Sequence, residues 1–139
     1  MRMKIVVGYV NTQEGKAALD WAVNEVKERG GHVVVVHSMR GGGNEQAERE
    51  EMLTYREEFD EIEKRLTDEG VPHTIRRLIR GLTPAEDLVR VVSEESADVI
   101  AIGLRRRSRT GKLIMGSDAL EILLLADCPV VGIKRKETE

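Results

Sequence analysis

The chain has 139 residues, one ordinary domain's length, with 22 basic and 25 acidic side chains and a formal charge of −3, a balance that gives no reason to expect a nucleic-acid partner. A single cysteine, Cys128, excludes an intramolecular disulfide and a thiolate zinc cage, which suits a reducing compartment and makes the cytoplasm the expected location. No apolar stretch approaches the roughly 20 residues that cross a bilayer, and the N-terminal run Ile5–Val7 is shorter than the ~7–15-residue core of a signal peptide, so neither membrane nor export is expected.

In chain order, MKIVVGYV reads as a β-branched strand. Residues 13–29 follow as a helix, with Ala18, Ala22 and Val26 on one stripe beside Leu19 and Val23. Gly30 and Gly31 stop it, and HVVVVHSM is a second strand whose four successive valines predict cover on both faces and a central place in the sheet. Past Gly41-Gly42-Gly43, the positions Met52, Tyr55, Phe59, Ile62 and Leu66 mark a long amphipathic helix ending near Gly70, with an acidic wet face.

The second half repeats the alternation. HTIRRLIR is a strand whose Arg76, Arg77 and Arg80 suggest an edge. Thr83-Pro84-Ala85-Glu86 reads as a capping box with proline at the first helical position, ahead of Leu88, Val91 and Val92. Asp98–Gly103 is a fourth strand, Ser117–Ala126 a fourth helix and Pro129–Lys134 a fifth strand. The order βαβαβαβαβ predicts one α/β domain over residues 1–139, an open, mainly parallel five-stranded sheet with helices on both faces. Ligands of such sheets bind beyond the carboxyl ends of the strands, where the strand order reverses. Gly8–Thr12, Ser38–Gly43 and Gly103–Ser117 all follow strand ends and should share that rim.

The run VIAIGLRRRSRTGKLIMGS carries the chemistry. An apolar strand ends at Gly103, five basic residues follow without an acidic one, and Gly116-Ser117 opens a helix. Glycine admits a phosphate close to the backbone, helix-opening N–H groups favour negative charge, and arginine or lysine adds countercharge. The expected ligand is a nucleotide or another phosphate compound. Thr110-Gly111-Lys112-Leu113 is not a P-loop, since Leu113 replaces the magnesium-binding hydroxyl. No Gly-x-Gly-x-x-Gly follows the first strand. His32, His37 and His73 lack metal-ligand spacing and read as structural or exposed, and Ser117 resembles a helix cap rather than a nucleophile. Cys128 reads as a packed thiol.

The spacing from Gly103 over two residues to Arg106, then over nine to Gly116-Ser117, resembles the signature of the nucleotide-binding universal stress proteins. The likeness extends over MKIVVGYVNTQEGKAALDWAV, VVVVHSM, RGLTPAEDLVRVVSEESADVIAIG and ADCPVVGIKRK, nearly the whole chain. It implies a Rossmann-like domain holding an adenine nucleotide, ATP with magnesium being the first expectation, in a stress-related sensing or regulatory role without turnover beyond slow hydrolysis. By position it assigns Gly103, Arg106, Gly116 and Ser117 to the phosphates, Val10 to the ribose and Ser38 to the adenine, with Gly8 and Tyr9 on the same rim. Tyr9 is additionally expected to stack on a base or to pack. Val10 stands where the family carries an aspartate, and Arg106 where it carries a glycine. The resemblance also implies a homodimer through the C-terminal strand. Two alternatives stay open: a dimeric interaction module of the same family that binds no nucleotide, and an adenine-nucleotide α-hydrolase-type enzyme.

Overall fold

The computed structural model describes residues 2–40, 44–80, 82–105 and 116–134. Nine elements alternate: β1 (Met3–Gly8), α1 (Gln13–Arg29), β2 (Gly31–Arg40), α2 (Glu45–Asp68), β3 (His73–Arg80), α3 (Pro84–Glu95), β4 (Val99–Leu104), α4 (Ser117–Leu125) and β5 (Val130–Lys134). All strands pair in parallel, in the order β3-β2-β1-β4-β5. The fold is thus the α/β class that the alternation predicts. One detail differs: β1 occupies the middle and β2 lies one place out, because each of β2 and β4 pairs with β1. β3 takes the edge that its arginines suggest.

Alternation along the strands divides the core into two layers. Ile5, Val7, Val33, Val35, Val99 and Ala101 face α1 and α2, where Leu19, Val23, Phe59 and Leu66 cover them. Val6, Val34, Val36, Ile100 and Ile102 face α3 and α4, meeting Leu88, Val91 and Ile122. The valine run of β2 is buried on both sides for this reason. Trp21 packs against the first layer and Cys128 against the second, where burial pushes its thiol pKa up.

Local signals set the helix ends. Thr12 Oγ1 accepts the Gly15 N–H at 3.0 Å and opens α1. Thr83 and Glu86 close a reciprocal capping box, with Pro84 in the first turn of α3. Asn44 caps α2 by accepting the Ala47 N–H at 2.7 Å, so this helix begins about two turns before its apolar stripe does. Those added turns are almost wholly exposed. The C-terminal half is fastened to α1 through Arg65, which reaches Asp20 at 2.7 Å and Glu69 at 2.9 Å.

Candidate functional site

The strand order reverses between β1 and β4, and a cavity of about 360 Å³ opens there at the carboxyl ends of β1, β2 and β4. Its volume lies in the range of small-molecule sites. Val36, Leu88, Ile102, Ala119 and Ile122 give it an apolar floor, while Thr12, His37, Ser38, Glu51, Tyr55 and Asp118 supply polar groups. Gly8, Tyr9, Val10, Ser38 and Gly103, five of the residues singled out from the sequence, line it. Gly116 and Ser117 are exposed and open α4, whose next residues, Asp118 and Ala119, form part of the wall. Arg106 lies outside the described residues, as do the other basic residues from Arg107 to Lys112.

The two glycines of the signature do different work. A Cβ on Gly103 would stand 2.5 Å from the carbonyl carbon and oxygen of Glu14, so β4 and the first turn of α1 meet without room for a side chain. Around Gly116 no atom of the described residues lies within 4 Å of a Cβ, and its φ of −68° is open to any residue. Among the described residues, packing explains the first glycine and not the second. Gly116 is also the N-cap of α4 and contributes no side-chain hydrogen bond there, with the acidic Asp118 in the first turn of a helix end that favours negative charge.

Tyr9 lines the cavity but is 3% exposed. Its ring stands edge-on to Phe59 at 5.8 Å, and its hydroxyl donates to Glu58 of α2. Burial and the Glu58 carboxylate drive its phenol pKa far upward. Of the two roles expected for this ring, packing is the one seen. The aromatic surface at the β2 end comes from the partly buried Tyr55, which stacks on the buried His37 with centroids 3.8 Å apart and planes inclined by 20°. The imidazole is held between the Tyr9 carbonyl at Nδ1 and Glu51 at Nε2, each 3.4 Å away. Tyr55 accepts the Asn11 N–H at 3.2 Å, and burial is the main cause of its raised phenol pKa.

Val10, 51% exposed, projects an isopropyl group at the end of β1. Its carbonyl accepts the Thr12 N–H at 2.8 Å. Ser38 donates to Oδ2 of Asp87, a carboxylate with no exposed surface whose Oδ1 takes Nη2 of Arg90 at 3.1 Å. The roles of His37, Tyr55 and Asp87 are not assigned by motif. Asp87 nevertheless leaves a trace, because it falls one helical turn before Val91 on the apolar stripe of α3, where an acid is out of place.

His32 and His73 are occupied structurally: His32 Nε2 meets Thr74 Oγ1 at 2.8 Å, and His73 bridges the Val71 carbonyl and Glu63, both at 2.7 Å. Among the described residues no three His, Cys, Asp or Glu side chains converge as metal ligands. No helix among them is long and apolar enough to cross a membrane.

Residues 1–134 match the model of the universal stress protein family. A universal stress protein of Mycolicibacterium smegmatis is 32% identical over 130 residues, 94% of this chain and 96% of that protein. The solved structure of a universal stress protein from Archaeoglobus fulgidus is 34% identical, with a TM-score of 0.76, covering 96% of this chain and 99% of the other. A second from Archaeoglobus fulgidus, in complex with dAMP, is 28% identical, with a TM-score of 0.68 and coverage of 96% and 98%. Sheet order, cavity and sequence thus converge, and the chain belongs to the universal stress protein family.

Proposed function

We propose that this protein binds an adenine nucleotide, ATP in the first instance and with magnesium on its phosphates, in the cavity at the β1/β4 switch point. The observation that carries the reading is the pairing of an apolar, aromatic-walled cavity of about 360 Å³ with the opening of α4 at Gly116, a glycine that packing among the described residues does not require. A relative of known structure holds dAMP. The bound nucleotide is retained as a signal in the cytoplasm, in a stress-related sensing or regulatory role, rather than consumed.

The reading includes a homodimer. β5 pairs with β4 and leaves its other edge open, and Leu120, Leu123, Leu124 and Leu125 of the neighbouring α4 are exposed. These leucines, with Val10 at the cavity, also support a second reading, an interaction module that forms the same dimer and leaves the cavity without nucleotide.

Mass spectrometry of small molecules released from freshly purified, denatured protein, followed by calorimetric titration with ATP, tests the reading. Co-purified adenine nucleotide and saturable binding without ADP accumulating are expected. A dimer with neither co-purified nucleotide nor titratable binding selects the interaction module, and steady release of ADP or pyrophosphate selects an enzyme.

A further inference from the structure

Two of the three histidines join α2 to the sheet in the same way. On β2, His37 Nδ1 faces the Tyr9 carbonyl and Nε2 faces Glu51, each at 3.4 Å. At the start of β3, His73 Nδ1 faces the Val71 carbonyl and Nε2 faces Glu63, each at 2.7 Å. Both imidazoles are nearly covered, with side-chain exposures of 8% and 11%. A backbone carbonyl and an ionised carboxylate accept hydrogen bonds and donate none, whereas a neutral imidazole carries a single N–H. Each ring therefore stands between two acceptors and satisfies both only as the imidazolium. His32 differs: its Nε2 meets the Thr74 hydroxyl at 2.8 Å, a group that can donate or accept.

Few other charges face the two rings. His37 is packed among the Tyr9 carbonyl at the end of β1, Glu51, Tyr55 and Phe59 of α2, and Arg77, its register partner on β3, whose guanidinium lies 5.6 Å from the centre of the Phe59 ring. His73 faces Glu63 of α2 and, from β2, His32, whose pKa is lowered by burial and then by Lys4. Further ties of α2 run without histidine: Tyr9 donates to Glu58, Tyr55 accepts the Asn11 N–H, and Arg65 binds Asp20 and Glu69. Burial raises both phenol pKa values, and the hydrogen bond from Lys27 is the main cause of the lowered Glu69 pKa. These phenols and this carboxylate keep their charge state between about pH 5 and 8, where histidines change theirs.

We propose that His37 and His73 fasten α2 to the sheet in a proton-dependent manner: charged, each ring bonds its carbonyl and its glutamate together, and neutral, each gives up one of the two. Acidification from about pH 8 to 5 thus tightens α2, and with it the part of the cavity wall formed by Glu51 and Tyr55. The closer His73–Glu63 pair contributes more than the longer His37–Glu51 pair. None of this requires a ligand in the cavity.

Hydrogen exchange of the full ligand-free chain at about pH 5.5 and about pH 8, expressed as protection factors, reads the fastening along α2. Protection of α2 relative to α3 should be roughly threefold or more higher at the lower pH, the scale of a partly exposed ion pair. Glu51→Gln and Glu63→Gln, at positions 43% and 57% exposed, remove the charge and offer a carboxamide that donates to a neutral ring or accepts from a charged one. Each should erase the pH response in its own half of α2 and spare the other half, and the double variant should show equal protection at both pH values. Nitrogen NMR shifts of the imidazoles should show His37 and His73 charged at the lower pH and neutral at the higher, with no variant needed. Relative protection of α2 that is the same at both pH values in the wild-type chain overturns the proposal. So does a pH response that persists in the double variant, or a nitrogen spectrum with both rings neutral at the lower pH.

Discussion

Gly103 and the Glu14 carbonyl are in contact so close that a methyl group placed between them would lie 2.5 Å from the carbonyl oxygen. A residue that the signature assigns to phosphate is thereby also the point at which β4 and α1 seat against each other. Gly103→Ala should destabilise the ligand-free protein by about 1–3 kcal/mol, the usual penalty for overpacking, read as a lower denaturant midpoint. An unchanged midpoint would show that α1 shifts without penalty.

Gly116 predicts the opposite separation of stability from binding. With no described residue crowding it and an ordinary φ, Gly116→Val should change ligand-free stability by no more than about 1 kcal/mol, the range of N-cap substitutions. ATP affinity should fall by more than about tenfold, a loss of roughly 1.4 kcal/mol, because the added side chain occupies the approach to the α4 N–H groups. Full affinity in this variant would place the phosphates elsewhere.

Val10 offers an apolar surface where the family resemblance implies an aspartate on the ribose. The side chain is half exposed, so Val10→Asp should fold normally. A carboxylate hydrogen bond contributes about 1.5–3 kcal/mol, and ATP should bind about tenfold more tightly to the variant. The gain should be smaller for 2′-deoxy-ATP, and equal gains for both would argue against a ribose contact.

The Tyr9 phenol, buried beside Glu58, keeps its proton to higher pH in the folded protein than in the unfolded chain. The unfolded chain deprotonates first, near pH 10, and above that point binds fewer protons than the native state. Stability therefore falls as pH rises past about 10, by up to about 1.4 kcal/mol per pH unit from this group, and is indifferent to it at lower pH. Tyr9→Phe should flatten that alkaline slope in denaturation series taken on either side of pH ~10. A slope equal to wild type would mean that Tyr9 opens to solvent before global unfolding.

Dimerisation is addressed at Leu124, 76% exposed on α4 and absent from both core layers. Leu124→Lys should leave the monomer's stability within about 0.5 kcal/mol, as surface changes do, while shifting light-scattering mass from dimer toward monomer at tens of micromolar. A wild-type monomer mass at that concentration would reject the assembly outright.

The fold was legible because each of its decisions is local. Four valines in succession require a strand covered on both faces, and Thr83-Pro84-Ala85-Glu86 supplies a cap, a first turn and a reciprocal acceptor within four residues. The rim was legible as well, since strand ends of a parallel sheet meet on one side. The partnerships across the cavity were not. Ser38 meets Asp87 across 49 positions of sequence, and the buried His37 is covered by Tyr55 and Phe59 of α2. Such contacts depend on where helices settle on the sheet, and no spacing rule encodes that. Tyr9 illustrates the same point: its place after a strand end puts it on the rim, and its ring is buried against Phe59.

The two margins of the sheet are chemically unlike. At β3, Arg76 is gripped by Glu94 at 2.8 Å and Glu95 at 3.6 Å, and Arg77 lies over the Phe59 ring, whereas β5 carries the apolar Val130, Val131 and Ile133. A ribbon that can be extended from only one margin stops after a single addition, because the incoming copy uses up its own permissive margin in joining. On the dimer reading proposed above, the engaged arginines of β3 make that margin the less permissive of the two, and assembly would close at a pair of chains.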